Sequence, residues 1–144
     1  MKVHVLNGPN LNLLGKREPD VYGLASIEDL ESAVRADATS LGFDISFKQT
    51  NSEAELIDWI QQAIEEKADV VLNPAAFTHY SYALRDACAA LTGIGLDLIE
   101  VHISNPHARE QFRQNSVISA VATGVIAGFG HQSYTLALKA LASR

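Results

Sequence analysis

The feature that most constrains this chain is its alternation of short apolar runs with longer amphipathic stretches. Val3-His4-Val5-Leu6 reads as a first strand. Ser26 then opens a helix, with Asp29 three positions on in capping-box spacing. Ile27, Leu30, Val34 and Leu41 share its apolar face, and Gly42 ends it. Phe43 to Lys48 alternates apolar and polar residues, as a half-exposed edge strand does. Ser52 with Glu55 starts a second helix, whose stripe is Leu56, Ile57, Ile60 and Ile64. Val70-Val71-Leu72 is a short buried strand that ends at Asn73-Pro74. The pattern predicts a third helix from about Thr78 to Leu91, capped by Thr78 and Ser81 and stopped at Gly93. Asp97 to Ile103 is a fourth strand, Thr123 to Ala127 a fifth, and about Gly130 to Ala142 a last helix.

Strands separated by helices throughout give a doubly wound parallel sheet. At 144 residues the expectation is one domain, residues 1–144, with the flavodoxin-like five-stranded order 2-1-3-4-5. That order makes strands 1, 3 and 4 neighbours. The chain's polar clusters follow those same strands: Asn7 to Tyr22, Asn73 to His79, and His102 to Arg113. All three therefore fall at the carboxyl ends of adjacent strands, in one crevice.

Charge narrows the partners. The net charge is −6, which argues against nucleic acid, since phosphate binding wants a basic face. Lys16-Arg17, Arg109 and Arg113 remain as local basic spots that suit a small anionic substrate. The one cysteine, Cys88, sits in an apolar helical pattern, which excludes an internal disulfide and predicts a buried, inert thiol. That suits a reducing cytoplasm, and the short first run opens into Asn-Gly-Pro, unlike a secretion signal. No apolar run approaches the length of a membrane span.

The clusters suggest acid–base chemistry. In the first loop, Arg17 and Tyr22 lie five positions apart. A phenol is a poor base until a nearby cation favours the phenolate. Taken alone, the stretch also reads as a solvated surface loop. Glu100 and His102 are two apart on a strand, so both point to one face, where a carboxylate orients the imidazole and favours its charged form. Such a pair can equally be structural. Asn73 and His79 flank Pro74-Ala75-Ala76-Phe77-Thr78, whose small residues let backbone amides approach a ligand, and a helix starting near Thr78 adds a positive dipole end. Arg109 and Arg113, spaced i, i+4 on a helical turn, can clamp a carboxylate or form a surface face with Glu110. Arg85 and Asp86 fall further along their helix, away from the crevice, on a solvated face or a subunit contact. The first loop lacks both the P-loop ending and the Gly-x-Gly-x-x-Gly fingerprint. The five histidines have no zinc-site spacing, and there is no Gly-x-Ser-x-Gly elbow.

Asn7-Gly8-Pro9-Asn10-Leu11-Asn12-Leu13-Leu14-Gly15, with Arg17-Glu18-Pro19 and Tyr22-Gly23, resembles the signature of type II 3-dehydroquinate dehydratases. The resemblance continues through Ser52-Glu53, Asn73 to His79, Leu84-Arg85-Asp86, Glu100 to Asn105 and His107 to Glu110, and so covers essentially the whole chain. It implies removal of water from 3-dehydroquinate in the shikimate pathway, through an enolate, with no metal, cofactor or Schiff base. It makes Tyr22 the base, Arg17 the cation that holds its phenolate, and Asn10 the side chain that positions a water on the enolate oxygen. His102, oriented by Glu100, becomes the acid. Ile103 (through its backbone amide) and Ser104 hold the substrate carboxylate, and Asn73, His79 and Arg113 bind the ring oxygens. Arg109 packs over the closed site, and Asp86 reaches a neighbouring subunit's site in dodecamers built from trimers. Tyr80 stands where a small hydroxyl residue is usual, and the turn at 92–97 is longer than in the shortest members. Both bear on assembly and affinity rather than reaction type. The other reading is a non-catalytic flavodoxin-like small-ligand binder. A flavin carrier is disfavoured, because the first loop has no Ser or Thr before Ser26.

Overall fold

The computed structural model describes residues 1–144. In chain order its elements are β1 (Lys2–Asn7), the one-turn α1 (Pro19–Tyr22), α2 (Ile27–Leu41), β2 (Asp44–Gln49), α3 (Glu53–Glu66), β3 (Asp69–Asn73), α4 (Tyr82–Gly93), β4 (Leu98–His102), β5 (Gly124–Ala127) and α5 (Gln132–Ala142). The strands form one parallel sheet in the order β2-β1-β3-β4-β5, as the alternation predicts. No helix is long and apolar enough to cross a membrane.

Side chains alternate across each strand, so the sheet has two cores. Val3, Val5, Val71, Ile99 and Val101 meet Leu30 and Val34 of α2 and Leu138 and Leu141 of α5 on one face. Leu6, Val70, Leu72 and Leu98 meet Leu56 and Ile60 of α3 and Leu84 and Leu91 of α4 on the other. β2 is one of the two edges, and Ile45 and Phe47 in it, with Phe43 just before it, are only partly buried against the first core. Cys88 is fully buried in α4, and burial pushes its thiol up to about 12.

Local rules set most helix starts. Ser26 and Asp29 make the reciprocal capping box, and Ser52 caps α3 through the Glu55 N–H. The third helix departs from expectation. Asn73 Oδ1 accepts from the Ala75 N–H at 3.1 Å, and Ala75 takes a left-handed φ of 51°. The chain then makes a 3-10 turn over Ala75–His79, and α4 begins only at Tyr82. Ser81 caps it, whereas Thr78 caps nothing and its buried Oγ1 has no partner. The start of α5 is also displaced, to Gln132. Arg109 and Arg113 do not share a helical turn. Arg109 is extended, between short 3-10 turns at Pro106–Ala108 and Gln111–Gln114.

Candidate active site

The ends of β1, β3 and β4 open into one cavity of about 150 Å³. Between β1 and β3 the chain order reverses, the place where open α/β sheets bind ligands. Gly8 makes the approach possible. Its N–H donates to the Asn73 carbonyl at 2.8 Å, and a Cβ there would stand 2.6 Å from the Pro74 oxygen. Ten of the residues singled out in the sequence line this cavity: Asn10, Arg17, Tyr22, Asn73, His79, His102, Ile103, Ser104, Arg109 and Arg113. Glu100 stands behind His102, and Asp86 lies outside, exposed on α4 and paired with Arg85.

The first loop supplies the phenol. Asn10 adopts a left-handed φ of 68°, which asparagine tolerates better than most residues, and its N–H donates to Asn51 Oδ1 at 2.9 Å. Pro19 opens α1 with its φ preset and no N–H to satisfy. That short helix carries Tyr22 into the cavity. The guanidinium of Arg17 lies 5.3 Å from the Tyr22 ring centre and pairs with Glu18 at 3.1 Å. The direct bond to the phenol oxygen comes instead from Arg109, whose Nη1 donates to it at 2.8 Å. The same Nη1 is 3.3 Å from Ser104 Oγ, so Arg109 ties the first loop to the end of β4.

The strand side supplies the imidazole. His102 Nε2 lies 3.3 Å from Glu100 Oε2, which leaves Nδ1 as the nitrogen that can address a ligand. Glu100 is only 1% exposed. Burial pushes its carboxyl up, but bonds from His102, Ser119 and Ser116 and the charge of His102 outweigh it and hold the group below the usual carboxylate range.

Around these two groups stand polar side chains with fixed partners. Asn73 Nδ2 donates to the Tyr134 hydroxyl at 2.8 Å, and that hydroxyl donates to Asn7 Oδ1 at 2.7 Å. Tyr134 is completely buried, and burial raises its phenol far above the ordinary value. His79 Nδ1 lies 2.8 Å from the Asn115 carbonyl, which can only accept, so Nδ1 carries the hydrogen and Nε2 is left as an acceptor. Burial, chiefly, lowers the His79 imidazole below its usual value. Arg113 Nε donates to Glu110 at 2.5 Å, so it both lines the cavity and makes the ion pair foreseen as its plainer role. Tyr80 lies outside the cavity, exposed and edge-on to Phe77. Nowhere do three or more His, Cys, Asp or Glu side chains gather as a metal-holding group.

Sequence reasoning missed Ser116, Ser119, Tyr134 and Asn51. Ser116 and Ser119 lie in an irregular stretch, and Tyr134 on a helix far along the chain. Only the polar Ser133-Tyr134-Thr135 run at the start of an apolar helix signals the last of these three.

A doubly wound α/β enzyme with a cation-lined pocket at its switch point is the class that fold and cavity define. Over residues 1–142 the chain matches the family model described as dehydroquinase class II. It is 55% identical over 143 residues, 99% of this chain and 97% of the relative, to the 3-dehydroquinate dehydratase of Pelotomaculum thermopropionicum. With the 3-dehydroquinate dehydratase of Brucella canis it shares 52% identity over 141 residues, 98% of this chain and 88% of the relative. The crystal structure of the type II dehydroquinase from Propionibacterium acnes superposes with a TM-score of 0.95 at 47% identity, covering 99% and 97% of the two chains. The chain belongs to the class II dehydroquinase family, whose members are hydro-lyases.

Proposed function

We infer that this chain removes water from 3-dehydroquinate to give 3-dehydroshikimate, a step of the shikimate pathway. One observation carries the reading. A single cavity presents a phenol bonded to a guanidinium from the first loop and an imidazole backed by a buried carboxylate from β4. Tyr22, as phenolate, takes the proton from the carbon beside the ketone, and the electron pair moves onto the ketone oxygen as an enolate. Asn10 positions a water on that oxygen, because a developing anion needs donors already in place. The enolate then collapses, the C–O bond on the adjacent carbon breaks, and His102 protonates the departing hydroxyl. The proton gained by Tyr22 and the one lost by His102 balance, so solvent exchange resets the site. The Ile103 amide and Ser104 hold the substrate carboxylate, and Asn73, His79 and Arg113 bind the ring oxygens. Arg17 and Arg109 hold the phenolate, with Arg109 closing over the ligand.

The assembly that goes with this reading is a dodecamer of trimers in the cytoplasm, in which Asp86 serves a neighbour's cavity. Its exposure on α4, beside the exposed Tyr82, supports that role. Light scattering of the purified protein checks it, and a monomeric mass removes Asp86 from the site. The activity itself is tested by following the conjugated product in the ultraviolet with 3-dehydroquinate and excess chelator, beside Tyr22→Phe. Absorbance grows with the wild type only. A flat trace from folded wild-type protein moves the reading to a non-catalytic binder.

A further inference from the structure

Glu100 is almost fully buried, and only donors meet its two oxygens. Ser116 Oγ donates to Oε1 at 2.7 Å, and Ser119 Oγ donates to Oε2 at 2.6 Å, the oxygen that faces His102. The direction of the Ser116 bond is forced. A hydroxyl has one hydrogen and two lone pairs, and here the N–H groups of Ile118 and Ser119 take the lone pairs at 3.1 and 3.0 Å. Its hydrogen is left facing Glu100. A carboxyl hydrogen on Oε1 would meet the Ser116 hydrogen head-on, and one on Oε2 would have to reverse the Ser119 hydroxyl beside His102 Nε2. The other titratable groups near Glu100 are Cys88 of α4, held up by burial, and His79, which has Arg113 near it. Neither supplies a fixed donor to it.

The two serines lie on one strap, residues 115–119, which follows the turn at Gln111–Gln114 and stands behind Glu100 and His79. Within five residues it also offers the Asn115 carbonyl to His79 and donates the Val117 N–H to the Thr78 carbonyl at 2.8 Å. The same short segment thus sets the hydrogen-bonding state of one imidazole directly and of the other through Glu100.

We propose that Ser116 and Ser119 are positioning residues of the dehydration, which rests on the dehydratase reading above. They hold Glu100 as a carboxylate against His102 Nε2, so that Nδ1 is the nitrogen that delivers the proton to the leaving hydroxyl. A structural role for the strap would leave the chemistry of Glu100 unchanged, and this role does not.

Ser119→Ala is the sharper test, because Ser116 also anchors two backbone N–H groups. The variant is expected to lower kcat roughly tenfold, the size of one lost bond to a charged group, with KM little changed. The acid limb of its kcat profile moves to higher pH, because Glu100 takes a proton sooner. Ser119→Thr keeps the hydroxyl and restores both. In Glu100→Gln the same substitution adds no further loss, since its partner charge is gone. The carboxyl carbon resonance of Glu100, followed by NMR without substrate, moves its titration to higher pH in Ser119→Ala. That readout needs no turnover, so it decides the role of the serines even if 3-dehydroquinate proves not to be the substrate. An unchanged carboxyl titration overturns the proposal. So does a Ser119→Ala loss confined to KM or to melting temperature.

Discussion

The two walls of the cavity are built in opposite ways. The β4 wall is sheet: Glu100 and His102 are 1% and 8% exposed, and parallel strands flank β4 on both sides. The facing wall is loop, and α1 buries none of its residues. Glu18, just before it, is left-handed at φ 41°. Tyr22 packs, partly buried, against the edge of the first core, and its ring and oxygen are held by one bond from Arg109 and two guanidinium groups at 5.3 and 5.2 Å. The acid is thus placed by a ladder of backbone bonds and the base largely by charge. Damage to the first wall costs the fold as well as the chemistry. Damage to the second costs the chemistry alone.

The largest effects test that contrast directly. Tyr22→Phe and His102→Ala are each expected to lower kcat by roughly 10²–10⁴, the usual contribution of one acid or base. Tyr22→Phe leaves the melting temperature unchanged, while Glu100→Ala lowers it, because it strands two serine hydroxyls and an imidazole beside a buried hole. Near-normal kcat in Tyr22→Phe or His102→Ala removes that residue from the mechanism. Equal melting losses in Tyr22→Phe and Glu100→Ala erase the difference between the walls.

Next in size is the choice between cations. Arg109→Ala removes the bond to the Tyr22 oxygen and the link to Ser104, and kcat should fall about 10- to 100-fold. Arg17→Ala removes a contact to the ring face and the pair with Glu18 but no bond to the phenol oxygen, and should lower kcat less, though still more than it raises KM. Measured side by side, a larger loss for Arg17 would mean that the cation serving the phenolate in turnover is the one this structure holds away from its oxygen. A pure KM effect would make Arg17 a binding residue.

The elements of this fold were legible because each carries a local signal: alternation in Phe43–Lys48, a stripe in Leu56–Ile64, a box at Ser26 and Asp29. The cavity was legible because its side chains sit at strand ends, where topology alone gathers them. Pairings across the chain were not. Arg109 meets Tyr22 from 87 residues away, and Tyr134 meets Asn73 from 61. Spacing reports neighbours on one element and says nothing of partners on two. The late start of α4 escaped for a related reason. The Asn73 side chain competes for the Ala75 N–H and turns the backbone, which no helix propensity of Thr78 reveals.

Tyr134→Phe probes the floor that both walls share. It deletes one oxygen and leaves the buried amides of Asn7 and Asn73 each short of a partner. The expected cost is about 1–3 kcal/mol in denaturant unfolding, with KM raised through a looser Asn73. A change in KM with no loss of stability would show that water fills the vacated place.

The smallest expected effect lies at the opposite end of the sheet, where charge supports the fold rather than a phenol. Lys2 Nζ and His4 Nε2 reach Glu66 Oε2 at 2.7 and 2.8 Å, and Gln62 donates to its other oxygen at 2.8 Å. Bonds from Lys2, Gln62 and His4 hold the Glu66 carboxyl down at about 2 from an ordinary 4.5. A carboxyl lowered on folding stabilises the native state above its unfolded value and loses that contribution as pH falls toward the folded one. Glu66→Gln should therefore melt slightly below the wild type at neutral pH, with the gap closing between about 4.5 and about 2 and kcat unchanged. A gap that stays constant across that range would assign the contacts of Glu66 to packing and geometry. Charge would then matter in this molecule at the cavity, for Tyr22 and for the Glu100–His102 pair, rather than at this end of the sheet.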